Sequence, residues 1–244
     1  MHTLEVKPEG REEPWRDGLL AVEACPVCME TSRDLLYGAL SDRVFFCAPG
    51  EWSLWRCRRC RCAYLDPRLS PERIGLAYSR YYTHAQGDGV ETEAPQSRLG
   101  RPGRVLSQGY LNARYGTALQ PASPLGCWVL PLFPPRRLGL DHSVRHLRRP
   151  DAPARLLDLG CGNGSFLARM RRLGWEVCGL EPDTAAVAAC REAGLPVQQG
   201  VLKADTFPAG SFDAVTLNHV IEHLHDPIET LRCCYRILRP GGAL

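Results

Sequence analysis

The sequence predicts an α/β fold, a parallel sheet with helices on both faces, preceded by a small module built around cysteines. Three observations carry this expectation. The C-terminal part alternates short apolar runs with amphipathic stretches of helix length, a rhythm that makes parallel strands joined by right-handed crossovers. A glycine-rich turn, "GCGNG" at 160–164, follows the first of those apolar runs, which is where open α/β sheets hold their ligands. Two CxxC pairs, at 25–28 and 57–60, lie ahead of the sheet.

From the N-terminus, "MHTLEVKPEGREEPW" has no apolar stretch of the kind a signal peptide needs. Residues 1–20 therefore read as a disordered tail, and the chain is expected in the cytoplasm, where thiols stay reduced. No segment approaches the roughly 18 to 20 apolar residues of a membrane span. The nearest, "LGCWVLPLF" at 125–133, has nine residues and contains a proline. The twelve cysteines are thus expected as metal ligands, reactive thiols or small core residues, and spacing has to decide which.

Residues 21–75 hold the two pairs, "CPVC" and "CRRC", with 28 residues between them. Each pair can place two thiolates on one turn, and two such knuckles close a tetrahedral site for zinc. Cys25, Cys28, Cys57 and Cys60 are the expected ligands of a Zn2+ ion in a zinc-ribbon-like module. The gap is longer than in compact ribbons, whose pairs lie about 15 to 20 residues apart. Buried or redox-active cysteines are the alternative, although no βαβ pattern surrounds either pair. Cys47 and Cys62 read as packing residues, with Cys62 a possible substitute for Cys60.

Charge is uneven along the chain, whose net value is +3. Residues 1–95 carry 12 basic and 15 acidic side chains, 96–150 carry 9 and 1, and 151–244 carry 9 and 11. The middle segment, with "PPRRLG" and "VRHLRRP", reads as a proline-rich basic linker with short helices over 76–150. It is either a solvated connector or a surface for anionic lipid, nucleic acid or nucleotide.

In the domain expected over 151–244, "ARLLDL" (154–159) suits a buried parallel strand and "SFLARMRRLG" a helix. Phe166, Leu167, Met170 and Leu173 share one face of that helix, and Gly174 can end it in a left-handed conformation. "WEVCGLE" (175–181) is the second strand, Asp183 caps the following helix, "PVQQG" is a weak third strand and "SFDAVTL" (211–217) a strong fourth. "DPIETLRCCYRILRPGG" is a helix with Asp226 as cap, Pro227 in its first turn, and a predicted apolar stripe of Ile228, Leu231, Tyr235 and Leu238.

The loop after the first strand is GxGxG, so a dinucleotide fingerprint fails at Ser165. Asp158 precedes it and puts negative charge where a pyrophosphate would be repelled. Glu181, at the end of the second strand, can accept both hydroxyls of a ribose. A ribose with a cationic group and no phosphate describes S-adenosylmethionine.

"LLDLGCGNGSFL", "WEVCGLEPD", "FPAGSFDAVTLNHVIEHL" and "ILRPGGAL" resemble, in order, the motifs of class I S-adenosylmethionine-dependent methyltransferases, whose domain is Rossmann-like. The resemblance covers about residues 154–244. It implies that Asp158, Gly160, Cys161 and Gly162 belong to the cofactor's methionine side, that Glu181 holds the ribose, and that Asn218 lies near the cofactor after the fourth strand. Two departures stand out. Where many relatives have an acid after the third strand, this chain has "QGVLKAD", so Val201 cannot accept from an adenine amino group and backbone or Asp205 would serve. The sequence also stops at "PGGAL", where the fifth of seven family strands begins, so a sheet truncated after its fourth strand is expected, with that strand as an unpaired apolar edge and weak cofactor binding.

The stretch "CAYLDPRLSPERIGLAYSRYY", with "PGEWSLWRC" before it, resembles bacterial methyltransferases that carry an N-terminal zinc-binding domain, including sugar C-methyltransferases and related enzymes of polysaccharide or natural-product biosynthesis. Tyr78, Tyr81 and Tyr82 are placed either over the cofactor cleft or against the linker. For catalysis, "NHVIEHL" offers His223 as a base and Glu222 as the residue that orients or polarises it, with His219 nearby; the alternative is that "EHL" only starts a helix. A small-molecule, glycan or lipid-linked acceptor is the first expectation. An RNA methyltransferase that grips RNA through the zinc module and basic linker, and an inactive remnant, are the others.

Overall fold

The computed structural model of the chain describes residues 18–44, 46–78, 101–149 and 153–244. These residues form two compact units, one made of the residues up to Tyr78 with 224–229, the other of the residues from 101 to His223 with 230–244.

In the first unit, β2 (Arg33–Leu40), β3 (Trp52–Cys57) and β4 (Ala63–Leu65) make a three-stranded antiparallel sheet. A short antiparallel pair, β1 (Leu19–Leu20) and β5 (Arg68–Leu69), accompanies it, so the last residues of the expected tail belong to a strand. Residues 1–17 and the side chains of Tyr78, Tyr81 and Tyr82 lie outside the described residues. Arg33 ties the unit together: it pairs with Asp66 at 2.6 Å, donates to the Val22 carbonyl at 3.0 Å and lies 4.2 Å over the Trp55 ring. Among the described residues, the buried apolar cluster of this unit is Val22, Cys25, Cys57 and Tyr64, with Cys28, Trp55 and Cys62 packed against it. A core of that size needs a staple.

The second unit is built on a five-stranded parallel sheet of β6 (Arg155–Leu159), β7 (Glu176–Glu181), β8 (Val197–Gln199), β9 (Phe212–Leu217) and β10 (Leu238–Ala243), in the order β10-β9-β6-β7-β8. The expected ending after four strands is corrected here. Residues 238–243 pair in parallel with β9, through a register irregularity, and β9 is an interior strand. Alternation along β6 sends Leu156 to one core cluster and Leu157 and Leu159 to the other.

Helices α1 (Arg101–Tyr115), α2 (Gly126–Val129) and α3 (Pro134–Ser143) precede the sheet, and α4 (Ser165–Arg172), α5 (Thr184–Glu192) and α6 (Pro227–Ile237) alternate with its strands. The linker expected over 76–150 is corrected for 101–149. Tyr110, Leu111, Tyr115, Leu130, Val144 and Leu147 are buried in the same cluster as Leu156, Met170 and Trp175, so this segment is part of the sheet's core. The stripe predicted on the last helix is corrected as well: α6 buries Cys233, Cys234 and Ile237, and leaves Tyr235 84% exposed. Cysteine, small and apolar, is easily overlooked as a core residue. The capping expectations hold, with Asp183 accepting from the Ala186 amide at 2.7 Å and Asp226 from that of Glu229 at 2.9 Å.

Candidate functional site

β6 has β7 on one side and β9 on the other, so the loop after β6 sits where the strand order reverses and a crevice opens at the carboxyl ends. The loop is tightly determined. Gly160, at φ +63°, leaves no room for a Cβ, which would come within 2.5 Å of Val220 Cγ2. A Cβ on Gly164 would meet Leu195 Cδ1 at 2.5 Å and Cys190 Sγ at 2.8 Å, so this glycine lets the loop approach α5 and Leu195 just beyond it. The Glu181 carboxylate is 7% exposed at the end of β7 and accepts from the amides of Gly162 at 2.8 Å and Asp183 at 3.1 Å. Two of the residues assigned to one ligand from sequence are thus joined directly.

Cys161 takes a different position from the one expected. Its side chain is buried and points at Gly179, whose hypothetical Cβ would lie 2.7 Å from the sulfur. The neighbouring Cys190 donates to the Gly162 carbonyl at 3.2 Å. Hydrogen bonding with Cys190 and burial push the Cys161 thiol far up, so it is a neutral packing group.

Asp158 also departs from expectation. Its carboxylate is 1% exposed and is held by this chain's own Arg145, which reaches it from the turn after α3, and by the Thr216 hydroxyl on β9 at 2.6 Å. Its negative charge is therefore met inside the protein and is not offered openly to a cation. Burial pushes the Asp158 carboxyl up, and the Arg145 charge and the Thr216 hydrogen bond oppose that shift. Asp158 Oδ2 is buried with no hydrogen-bond partner among the described residues. The Arg145 guanidinium stacks 3.6 Å from the centroid of the Phe166 ring. Arg145 and His146 both have positive φ, 48° and 57°, a conformation that costs on the order of 1 kcal/mol or more per residue outside glycine.

This strained turn lines a cavity of about 440 Å3, together with His142, Thr216 and Asn218. Asn218, the last of these, directly follows β9. Arg145, His142, His146 and Thr216 were missed, because the segment carrying the first three reads as linker. The only signal was the isolated basic cluster "VRHLRR".

Beyond β9, His219 (φ 55°) and a 3-10 turn at Ile221–His223 carry the expected catalytic pair. Glu222 Oε1 is 3.3 Å from His219 Nδ1 and 4.0 Å from His223 Nε2, so the carboxylate is nearer the histidine not chosen as base. Burial lowers the His223 pKa, which Glu222 partly counters.

In the first unit the sulfurs of Cys25, Cys28, Cys57 and Cys60 all lie within 4.8 Å of one another, with Cys25–Cys60 and Cys28–Cys57 at 3.5 Å. Four thiolates at about 2.3 Å from a tetrahedral zinc would stand about 3.8 Å apart, so the cluster fits that ion. Each pair forms the same turn: Met29 N bonds to Cys25 O and Arg61 N to Cys57 O, with Met29 and Arg61 at φ 61° and 66°. The Cys60 amide beside Cys57 Sγ lowers that thiol to about 7. Cys62 is not one of the four, and Cys47 donates to the Ala77 carbonyl at 3.0 Å.

A parallel sheet with a glycine loop at its switch point and a carboxylate ending the next strand defines a Rossmann-like α/β domain. Residues 136–244 match the family model described as a methyltransferase domain. The Ubiquinone biosynthesis O-methyltransferase of Xanthomonas axonopodis pv. citri is 39% identical over 104 residues, 40% of this chain and 44% of its own. That of Xanthomonas campestris pv. campestris is 36% identical over 121 residues, 47% of this chain and 50% of its own. The chain thus spans about half the length of the curated relatives it matches. A solved SAM dependent methyltransferase from Archaeoglobus fulgidus is 27% identical, with a TM-score of 0.37, and the likeness covers 43% of this chain and 48% of that one.

Proposed function

We propose that the chain binds S-adenosylmethionine and transfers its methyl group to a hydroxyl of a small-molecule acceptor, in the class of glycan, sugar or lipid-linked biosynthetic intermediates. The observation that carries this reading is the Glu181 carboxylate hydrogen-bonded to the Gly162 amide, which brings a ribose acceptor against a glycine turn with no room for a Cβ at Gly160. The match of residues 136–244 to a methyltransferase domain supports it, and the relatives named as O-methyltransferases favour oxygen as the acceptor atom.

Glu181 would hold the ribose, Gly160 and Gly162 would face the ligand with backbone alone, and Asn218 would complete the crevice beyond β9. When bound, the cofactor supplies a methyl group on a cationic sulfur. What remains for the protein is positioning and, for a hydroxyl, removal of a proton. His223, whose pKa is lowered by burial, is the proposed base because it is neutral and able to accept near pH 7, and Glu222 orients the histidines on either side of it. His223→Ala is expected to lower methyl transfer to hydroxylated acceptors by over about tenfold. Undiminished turnover removes it from this role and leaves His219.

Calorimetry with S-adenosylhomocysteine tests the binding reading. With β9 paired by β10, the reason for expecting weak binding is gone, and micromolar affinity is expected. Glu181→Ala should weaken it by about ten- to a hundredfold, the worth of charge-assisted hydrogen bonds. Equal affinity in the variant, or preference for NAD, would overturn the assignment. In the first unit, we propose that Cys25, Cys28, Cys57 and Cys60 hold one structural zinc. Four thiolates close its coordination and leave no open position for chemistry.

A further inference from the structure

The short helical stretch from Leu125 to Leu132 turns its apolar side outward. Its inner side is narrow, with Gly126 and Leu130 buried. A Cβ on Gly126 would lie 2.0 Å from the Leu106 carbonyl oxygen and 2.8 Å from the Tyr110 nitrogen, so the stretch rests directly on the backbone of α1. The opposite side presents Leu125, Trp128 and Leu132, spaced three and four apart and therefore on one helical face. They are 61%, 80% and 75% exposed, and Phe133 and Leu138 extend the patch at 58% and 46%. No charged residue occurs from 125 to 135, and Arg136 and Arg137 follow at once. A surface helix ordinarily faces its apolar stripe inward, and a contiguous exposed apolar patch with a polar rim marks an interaction site.

Charge selects the occupant. Residues 101–149 contain eight arginines against one acid, Asp141, and with the Arg145 charge met by Asp158 a net +6 remains. Asp141 is buried and accepts from the hydroxyls of Tyr110 and Tyr115, both at 2.7 Å. A second copy of the chain would bring the same positive surface to the same patch and be repelled. Trp, Leu and Phe flanked by arginine is the composition that settles into the headgroup region of a bilayer and gains from anionic lipid. Among the described residues no helix is long and apolar enough to cross a membrane, which leaves a docked rather than a spanning arrangement.

We propose that Leu125–Leu138 is a docking surface for an anionic lipid bilayer, with Trp128, Leu132 and Phe133 in the interface and the arginines on the headgroups. The proposal does not depend on the methyl-transfer reading. Its test is cosedimentation of the full chain with vesicles of phosphatidylserine and phosphatidylcholine, compared with phosphatidylcholine alone. Binding is expected only to the mixed vesicles and should fall at high salt. The triple variant Trp128→Ser, Leu132→Ser, Phe133→Ser should bind at least about tenfold more weakly while keeping the wild-type circular dichroism spectrum, since all three side chains are exposed. Equal binding of variant and wild type, or no binding to mixed vesicles, overturns the proposal. So does a dimer seen by light scattering that the variant abolishes, an outcome that assigns the patch to a second copy.

Discussion

Cys57→Ser is expected to abolish zinc binding and unfold the N-terminal unit. Among the described residues its buried apolar cluster is four residues, two of them cysteines of the sulfur cluster, and burial on that scale does not offset the chain entropy of about sixty residues. Under the zinc proposal the metal supplies the difference, and apparent zinc binding energies of about 10 to 16 kcal/mol in small modules are of the required size. Elemental analysis should find one zinc per wild-type chain and none in the variant, with proteolysis cutting the variant within residues 18–78. Chelation of the wild type should reproduce the same cleavage pattern. A metal-free wild-type protein with an intact first unit would refute the assignment.

The second large effect concerns Arg145. Arg145→Met leaves Asp158, 1% exposed, as a buried carboxylate without its counter-charge. Breaking a buried ion pair from one side costs about 3 to 5 kcal/mol; the Arg145 side chain is 21% exposed, which places the expected loss near the lower end, about 3 kcal/mol. The variant's pH dependence follows from the sign of the remaining shift. With Arg145 gone, burial raises the folded pKa of Asp158 further above its unfolded value of about 3.9, so between those two values the folded state binds more protons and stability rises as pH falls. The gap between variant and wild type in urea unfolding should therefore shrink from neutral toward acid pH. The double variant Arg145→Met, Asp158→Asn should recover part of the loss. A gap that stays constant with pH, or a double variant worse than both singles, would show that the pair is not coupled as described.

This pair also shows where reading residues in order stops being informative. The glycine loop, Glu181, the Asp183 cap and the two cysteine knuckles were legible because each is a local requirement. A turn needs glycine at particular φ values, a helix start needs a side-chain acceptor, and four thiolates need a fixed spacing on two turns. The face buried by α6 was not legible, because Cys233 and Cys234 carry little apolar weight and Tyr235 carries much, whereas packing against β9 depends on shape and position. Residues 101–149 look like a connector because their prolines and arginines imitate one. Their tyrosines and leucines are core only because the sheet arrives beside them.

By itself, the sequence determined the α/β alternation, the glycine loop with a carboxylate at the end of the following strand, and the identity of the four cluster cysteines. The tertiary structure alone decided that Asp158 answers to Arg145, that the Cys161 thiol faces inward, that a fifth strand covers β9, and that Glu222 stands closer to His219 than to His223. The physical reason is one of range. Backbone geometry and metal coordination are satisfied by neighbours in the chain, while the partner of a buried charge and the direction of a side chain are set by whichever distant segment packs there.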